Sequence, residues 1–290
     1  MNDPTKQKTI RRLHPCTRDD IGDLMTQRPL PGPDTEQIDP YLFLNHHGPQ
    51  VYPPGNRGLP FGPHPHRGFE TVTFILDGML MHKDSAGHES IIGPGGVQWM
   101  TAGSGIVHAE LSPPAFMRQG GPLEILQLWV NLPARLKMTA PAYTGLQGSD
   151  IPAVAADGGK VSINLIAGQW HGVSGPVNSL TGHFMSTISF KPGGTVKLDG
   201  LTARSVFLYV VRGSVQVGPD RASAFHLAEL SMEGDGVTLV AESDALIVFG
   251  HAAPLGEPVV AHGPFVMNTR EEIAGAIADY QAGRFGAPPG

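Results

Sequence analysis

The chain is poor in cysteine, poor in charge, and lacks long apolar runs. Cys16 is its single cysteine, which permits no internal disulfide and fits a reducing, cytoplasmic compartment. Charged residues make up 16% of the 290 residues, the net charge is −6, and no stripe of lysine and arginine is present, so we expect no direct nucleic-acid binding. The N-terminal residues lack the apolar region of a secretory signal, and no stretch approaches the roughly 18 apolar residues of a membrane span, so we expect no membrane association.

Glycine and proline are abundant, with 38 and 27 copies. Because both residues break helix interiors, a protein of long helices is excluded. From Tyr41 onwards, short apolar segments alternate with Gly/Pro punctuation, which is typical of an all-β sandwich or barrel. The exception lies near the C-terminus, where Thr269 and Glu272 have the spacing of a capping box and predict one short helix over about residues 270–282.

The two halves of the chain resemble a diverged repeat. An apolar strand, a turn glycine and a second strand recur around Gly78 and around Gly213, and the segment after Gly96 resembles the one after Gly236. This pattern predicts two β barrels. We expect an N-terminal metal-binding barrel in residues 1–134, a connector in 135–160, and a second barrel in 161–290 that ends in the helix.

Histidine is enriched, with 13 copies, and two pairs have a spacing suited to metal binding. His64 and His66 are separated by one residue, as are His108 and Glu110. On a strand, residues i and i+2 point to the same face, so each pair forms a two-pronged clamp. Two such strands facing each other supply three imidazole nitrogens and one carboxylate. That set leaves coordination positions open for water, substrate or O2.

Other residues compete for a place at this site. Glu70 follows His66 by four positions, so on a regular strand it shares the histidine face and is as good a ligand by spacing as Glu110; alternatively it orients an imidazole. His46 and His47 are adjacent and point to opposite faces, so one of them can line the pocket, and His46 is the candidate. Arg67 is a candidate because it adjoins His66. The candidates for pocket lining are Phe61, Val72, Phe74, Trp99 and Met100.

The second half has no copy of the site. Aligning Gly213 with Gly78 places Asp199 and Leu201 opposite the two histidines of the first pair. Aligning Gly236 with Gly96 places Val248 and Gly250 opposite the second pair. These four residues do not form a set of metal ligands. We therefore expect one metal per chain.

Four segments of the chain are similar to the pirin family of the cupin superfamily, over about Asp39 to Gly286. They are Pro63 to Thr73 (PHPHRGFETVT), Pro94 to Glu110 (PGGVQWMTAGSGIVHAE), Leu128 to Pro133 (LWVNLP) and Gly256 to Thr269 (GEPVVAHGPFVMNT). The resemblance implies a bicupin fold of two jelly-roll barrels with one metal in the N-terminal barrel. It implies His64, His66, His108 and Glu110 as ligands, and so favours Glu110 over Glu70. The implied metal is iron(II), with Zn, Mn, Ni, Cu or Co as alternatives.

The resemblance also implies two functions. The first is a quercetin 2,3-dioxygenase-type cleavage of a flavonol by O2, in which Glu110 accepts the proton of the substrate 3-hydroxyl. The alternative is a non-catalytic, redox-responsive regulator that binds a transcription factor or a metabolic enzyme. For this alternative the candidate residue is Arg67, because it is next to His66.

Overall fold

A computed structural model describes residues 6–290, which form mostly antiparallel strands. In chain order the strands are β1 (Ile10–Pro15), β2 (Thr17–Arg18), β3 (Thr26–Leu30), β4 (Tyr41–Tyr52), β5 (Phe61–His66), β6 (Phe69–Asp77), β7 (Leu80–Asp84), β8 (Glu89–Ile92), β9 (Val97–Thr101), β10 (Ile106–Leu111), β11 (Gly121–Asn131), β12 (Ala142–Leu146), β13 (Ala153–Ala156), β14 (Val161–Ala167), β15 (Gln169–Trp170), β16 (Val173–Ser174), β17 (Phe184–Phe190), β18 (Gly194–Asp199), β19 (Ser205–Arg212), β20 (Ser214–Val217), β21 (Asp220–Ser223), β22 (His226–Leu230), β23 (Gly236–Ala241), β24 (Ala245–Ala252), β25 (Val260–His262) and β26 (Phe265–Met267).

Helices are few and short. They are α1 (Pro114–Gln119), α2 (Arg270–Gln281) and single 3-10 turns at Ala134–Leu136, Gly148–Asp150 and Asp157–Gly159. The predicted C-terminal helix is α2. It begins at the predicted capping box, in which the Thr269 hydroxyl accepts from the Glu272 amide and the Glu272 carboxylate accepts from the Thr269 amide. The helix α1 was not predicted. Within residues 6–290 no helix has the length and apolar character needed to cross a bilayer.

The described chain forms two compact units. The first barrel consists of Arg18–Gln27, Tyr41–Asp150 and Leu255–Gly290. The second barrel consists of the described residues up to Thr17, together with Arg28–Pro40 and Ile151–Pro254.

These units differ from the predicted boundaries at both ends of the chain. The strand β1 pairs with β22 of the second barrel, so the N-terminal residues do not belong to the first barrel. The helix α2 buries Ile273 and Ala276 in a cluster with Val107 and Phe265 of the first barrel, so it does not end the second barrel. In both cases contacts between residues distant in sequence assign the segment to a barrel other than the one predicted from its position in the chain.

The two barrels repeat one strand order, which confirms the predicted repeat. In the first barrel β12-β9-β6-β11-β4 lie side by side, and a four-stranded sheet has the order β5-β10-β7-β8. In the second barrel the corresponding orders are β1-β22-β19-β24-β17 and β18-β23-β20-β21. One detail of the predicted alignment is wrong. Gly236 begins β23, the counterpart of β10, whereas Gly96 precedes β9, so Val248 and Gly250 of β24 are not the counterparts of His108 and Glu110.

Candidate metal centre

Two adjacent strands of the first barrel carry the three candidate histidines. β5 and β10 are antiparallel, with His64 opposite His108 and His66 opposite Ile106. Residues directly opposite each other share a face, so all three imidazoles project to the same side. β5 lies at the edge of its sheet, which explains how Pro65 is tolerated between two ligands. The ligand nitrogens of the three histidines lie within 4.8 Å of one another, and this is the single such group of His, Cys, Asp or Glu among residues 6–290.

Backbone carbonyls orient two of the imidazoles. The Nδ1 of His64 lies 2.8 Å from the oxygen of Gly62, and the Nδ1 of His66 lies 3.3 Å from the oxygen of Pro264. A carbonyl oxygen only accepts, so each Nδ1 carries the proton and donates it. The Nε2 lone pairs are thereby left for a ligand, as in most protein metal sites.

The remaining imidazole nitrogens are buried polar atoms. The Nε2 of His66 and both ring nitrogens of His108 have no hydrogen-bond partner among residues 6–290. Leaving such an atom buried and unpaired costs about 1–3 kcal/mol, and a bound cation would remove that cost for one nitrogen of each ring. The donor set therefore fits a divalent metal.

Burial also sets the charge state of these imidazoles. It lowers the pKa of His66 to about 3, with a smaller contribution from the neighbouring His64. The pKa of His108 is lowered well below its usual range, again mainly by burial and then by the adjacent imidazoles. Both rings are consequently neutral near pH 7, which is the form that binds a metal.

Glu110 lies beside the histidine cluster and is held by two donors. Thr73 Oγ1 donates to one carboxylate oxygen at 2.9 Å, and Gln127 Nε2 donates to the other at 2.5 Å. A shift in register between His108 and Glu110 places Glu110 opposite Phe61. The carboxylate lies outside the group of nitrogens that fall within 4.8 Å of one another. Its role as a ligand, which the family resemblance implies, stays a prediction.

Glu70 does not share the histidine face, so the premise of a regular strand from His66 to Glu70 is wrong. β5 ends at His66 and β6 begins at Phe69, and between them Gly68 turns the chain with a φ of +90°. On β6, Glu70 alternates with Thr73 and lies on the opposite face, where it accepts a hydrogen bond from Thr101 Oγ1 at 2.6 Å. Burial raises the pKa of its carboxyl group.

The pocket-lining candidates divide between the two faces of the large sheet. Val72 and Phe74 share the face of Glu70, as does Trp99, which pairs with Val72. Their side chains are buried in the hydrophobic core, away from the histidines. Met100 pairs with Thr71 and lies on the same face as Thr73. The alternation on the strands explains both outcomes.

The structure also separates the two adjacent histidines. His46, the candidate, is fully buried and its Nε2 lies 2.9 Å from a carboxylate oxygen of Glu124. His47 lies on the other face, with its ring 5.3 Å from Phe61 and its Nδ1 2.8 Å from Thr26 Oγ1. Since Phe61 is the register partner of Glu110, His47 rather than His46 faces the site.

Sequence reasoning missed an aromatic wall next to the histidines. Trp129 lies with its ring 5.4 Å from His66, 4.5 Å from Phe69 and 4.8 Å from Phe43. Its Nε1 is buried and has no hydrogen-bond partner within residues 6–290. Trp129 lies opposite Thr71 where β11 pairs with β6, and residues opposite each other share a face of the sheet. Once that pairing is known, it indicates which face Trp129 occupies.

A second missed group lies on the other side of His108. The ring of His82 is 5.4 Å from that of His108 and stacks on Tyr143 at 3.9 Å. Its Nε2 is 3.1 Å from a carboxylate oxygen of Asp84, which also contacts His88 Nδ1 at 2.9 Å. His82 and Asp84 are the register partners of Glu110 and His108. His82 and Asp84 of β7 therefore lie on the same face of the sheet as His108 and Glu110 of β10.

Arg67 is not an exposed surface residue, because it is only 6% exposed. Its Nε donates to the oxygen of Ser104 at 2.7 Å, and its guanidinium forms an ion pair with Asp279 at 2.9 Å. The guanidinium carbon also lies 4.6 Å from the centre of the Phe285 ring. These contacts fix Arg67 within the first barrel.

The strand order and the histidine cluster define a bicupin, an all-β chain with two jelly-roll barrels and a short C-terminal helix, that has a histidine cluster in one barrel. The chain belongs to the pirin family: residues 23–130 match the family model Pirin, and residues 185–286 match the Pirin C-terminal cupin domain.

Individual relatives support this membership. The chain is 42% identical over 274 residues to a pirin-like protein of Caulobacter vibrioides, covering 93% of this chain and 95% of the relative. It is 37% identical over 269 residues to human pirin, covering 90% of this chain and 87% of the relative. It also superposes with a TM-score of 0.91 on the crystal structure of a quercetin 2,3-dioxygenase from Acinetobacter baumannii, at 34% identity and over 97% and 99% of the two chains.

Proposed function

We propose that the chain is a cytoplasmic, metal-dependent dioxygenase of the quercetin 2,3-dioxygenase type, in which O2 opens the central ring of a flavonol and one carbon leaves as carbon monoxide. The observation that carries this proposal is the cluster of three imidazoles, two of them buried, whose ligand nitrogens converge within 4.8 Å next to a buried carboxylate. The likeness to a solved structure named as a quercetin 2,3-dioxygenase supports it.

In this proposal His64, His66, His108 and Glu110 hold one divalent metal. Iron(II) suits a site of three imidazoles and one carboxylate, and Zn, Mn, Ni, Cu and Co are the alternatives. A metal bound there supplies Lewis-acid polarisation of a substrate hydroxyl and access to O2 chemistry. The hydrogen bonds of His64 to Gly62 and of His66 to Pro264 orient the two imidazoles of β5 for this task.

Glu110 is the proposed general base. Its two oxygens are located by Thr73 and Gln127, and a carboxylate has about four lone-pair sites, so it retains capacity to accept the proton of a flavonol 3-hydroxyl. The rings of Trp129 and Phe43, packed on the fully buried Phe69, form an apolar wall against which a planar flavonol can stack.

Quercetin turnover tests this function directly. Metal-loaded protein is mixed with quercetin in aerated buffer, and the loss of flavonol absorbance and the release of carbon monoxide are followed. We expect turnover by the loaded wild type and none by loaded His108→Ala. Loss of quercetin no faster than with the free metal ion contradicts the proposal.

The second candidate function is a redox-responsive regulator that binds a protein partner. The observation that favours it is the series of contacts that leads from His66 through Arg67 to the partly exposed Asp279 on α2. A change from iron(II) to iron(III) adds one positive charge at the metal end of this series of contacts. Capture of a partner by one oxidation state alone, together with an absence of quercetin turnover, would favour this function.

A further inference from the structure

We propose that residues 255–290, here called the brace, act as a positioning element for the metal ligands by holding the outer side of the two strands that carry all three histidines. The proposal rests on the metal-binding part of the proposed function and is independent of turnover. The brace contains β25, β26 and α2 and belongs to the first barrel, although almost 200 residues separate it from His66.

The brace holds the end of β5 by hydrogen bonds to the ligand His66 and to the backbone of Arg67, the residue after it. The carbonyl of Pro264 accepts from the Nδ1 of His66 at 3.3 Å and from the amide of Arg67 at 3.4 Å. The amide of Val266 donates to the carbonyl of Arg67 at 3.0 Å. The turn that follows is in equally close contact, because a side chain at Gly68 would collide with the carbonyl of Val266. Moving the brace therefore moves the imidazole of His66.

The side chain of Arg67 fastens the same strand to α2 and to the residues beyond it. Arg67 follows the last residue of β5 in extended backbone, so its side chain points outward because that of His66 points inward. Its guanidinium pairs with Asp279 at 2.9 Å and lies over the ring of Phe285, which is itself buried. The ion pair is largely shielded from water, since the side chain of Arg67 is 7% exposed and that of Asp279 is 23% exposed. Breaking the pair is therefore expected to loosen the contact.

The brace holds β10 in a corresponding way. Val107, which precedes His108, is buried in one cluster with Phe265, Met267 and Ile273. Ser85 adds a polar link, since its Oγ accepts from the amide of Val107 at 3.1 Å and donates to the carbonyl of Phe285 at 2.6 Å. The outward residue next to a histidine on each ligand strand is thus covered by the brace.

This arrangement couples metal binding to the packing of the brace. A cation on the Nε2 of His66 draws electron density from the ring and makes its Nδ1–H a stronger donor to Pro264. The hydrogen bond is then stronger with metal than without it. Coupling between two sites is reciprocal. If bound metal stabilises the packing of the brace by a certain factor, loosening the brace lowers the metal affinity by the same factor.

Metal affinity of brace variants is the first test, measured by competition with a chromogenic chelator for Co(II) or Zn(II). Groups that orient metal ligands are worth about 10–100-fold in affinity, and Asp279 acts one contact further out. We expect Asp279→Asn to weaken binding by about 3- to 10-fold and Phe285→Ala by about 10-fold or more. Glu271→Gln is the matched control, because it removes one charge from the exposed first turn of the same helix. It should leave the affinity within twofold of the wild type.

Hydrogen exchange of the wild-type chain with and without metal is the second test. We expect the amide of Val266 to exchange at least several-fold more slowly with metal, and the slowing to exceed that of amides in the β20–β21 hairpin, which report general stabilisation. Equal slowing at both places overturns the proposal. The proposal is also overturned if the Asp279→Asn and Phe285→Ala variants fold natively and bind metal with the affinity of the wild type, whatever their melting temperatures. A wild-type chain that binds no metal overturns the proposed function as well, whereas a metal-binding chain without quercetin turnover leaves the brace intact.

Discussion

The two barrels share a strand order but fill the corresponding positions with different chemistry. In the first barrel the facing pair on β5 and β10 is His64 and His108. In the second, β18 and β23 take the same places and present Val196 opposite Leu239, both buried in one large aliphatic cluster. The same strand order thus builds either a closed apolar core or a cluster of imidazoles in which three buried ring nitrogens have no hydrogen-bond partner among residues 6–290. Aliphatic packing stabilises the second barrel without a ligand, whereas the first retains buried polar atoms that only a bound group satisfies.

Removal of one imidazole should have the largest effect on the first barrel. A metal held by four protein ligands is bound by roughly 10–16 kcal/mol, so each ligand carries a share worth about 100-fold or more in affinity. We expect His66→Ala to weaken metal binding by at least about 100-fold in a chelator competition. His226→Ala, at a partly buried histidine of the second barrel, serves as control and should bind as the wild type does. Equal losses in the two variants would remove the distinction between the barrels.

The second barrel should respond in stability and not in metal binding. Leu239→Ala opens a cavity in the aliphatic cluster and should lower the free energy of unfolding by about 2–5 kcal/mol, measured by urea denaturation of the metal-free chain. Its metal affinity should stay within twofold of the wild type. The reverse behaviour is expected of His108→Ala, which removes two unpaired buried nitrogens and should cost the metal-free chain little. If both variants lost the same free energy of unfolding, the histidine cluster would stabilise the metal-free chain as much as the aliphatic cluster does, which contradicts the comparison.

Two glutamates near the histidines sharpen the comparison further: Glu110 lies on the ligand strand β10, and Glu70 lies on β6 of the large sheet, on the face opposite to that of Thr73. Glu110→Gln keeps an oxygen but removes the single negative charge among the four proposed ligands, so metal affinity and turnover should fall steeply. Glu70→Gln, on the opposite face, should change metal affinity by less than about 10-fold, the lower end of the effect of an orienting group. Both variants are measured by metal titration and quercetin turnover. Full metal retention in Glu110→Gln and loss in Glu70→Gln would show that Glu70 is the ligand.

Acidification should destabilise the metal-free chain through histidines in both barrels. Burial lowers the pKa of His66 in the first barrel and of His183 in the second to about 3. The unfolded chain titrates near pH 6.5, so between those values it binds protons that the native chain does not, and stability falls as the pH falls. Each histidine should cost about 2 kcal/mol between pH 6.5 and 5. Urea denaturation checks this: His183→Asn should show a shallower fall, and an unchanged slope would contradict the assignment.

Alternation along a single strand made the histidine cluster predictable from sequence. The pairs His64 and His66, and His108 and Glu110, each lie within one continuous strand, so the rule that i and i+2 share a face applies. The same rule failed for Glu70, because a turn at Gly68 separates it from His66. It also separated His46 from His47 without indicating which of them faces the site, since that depends on the pairing of β4 with β11.

Contacts between segments distant in the chain could not be predicted. The sequence order placed the C-terminal helix on the second barrel, whereas α2 packs against Val107 of the first. Trp129 and Gln127 reach the site because β11 pairs with β6, and no local pattern specifies that pairing. The repeat was visible in the turn glycines, but its exact strand correspondence required the observed sheet order.

Metal content per chain tests the central claim most directly, namely that the first barrel holds one metal and the second holds none. Elemental analysis after loading and removal of excess metal is carried out on the wild type and on His108→Ala. The account predicts one metal per wild-type chain and none per His108→Ala chain. Two metals in the wild type, or one retained in His108→Ala, would contradict it.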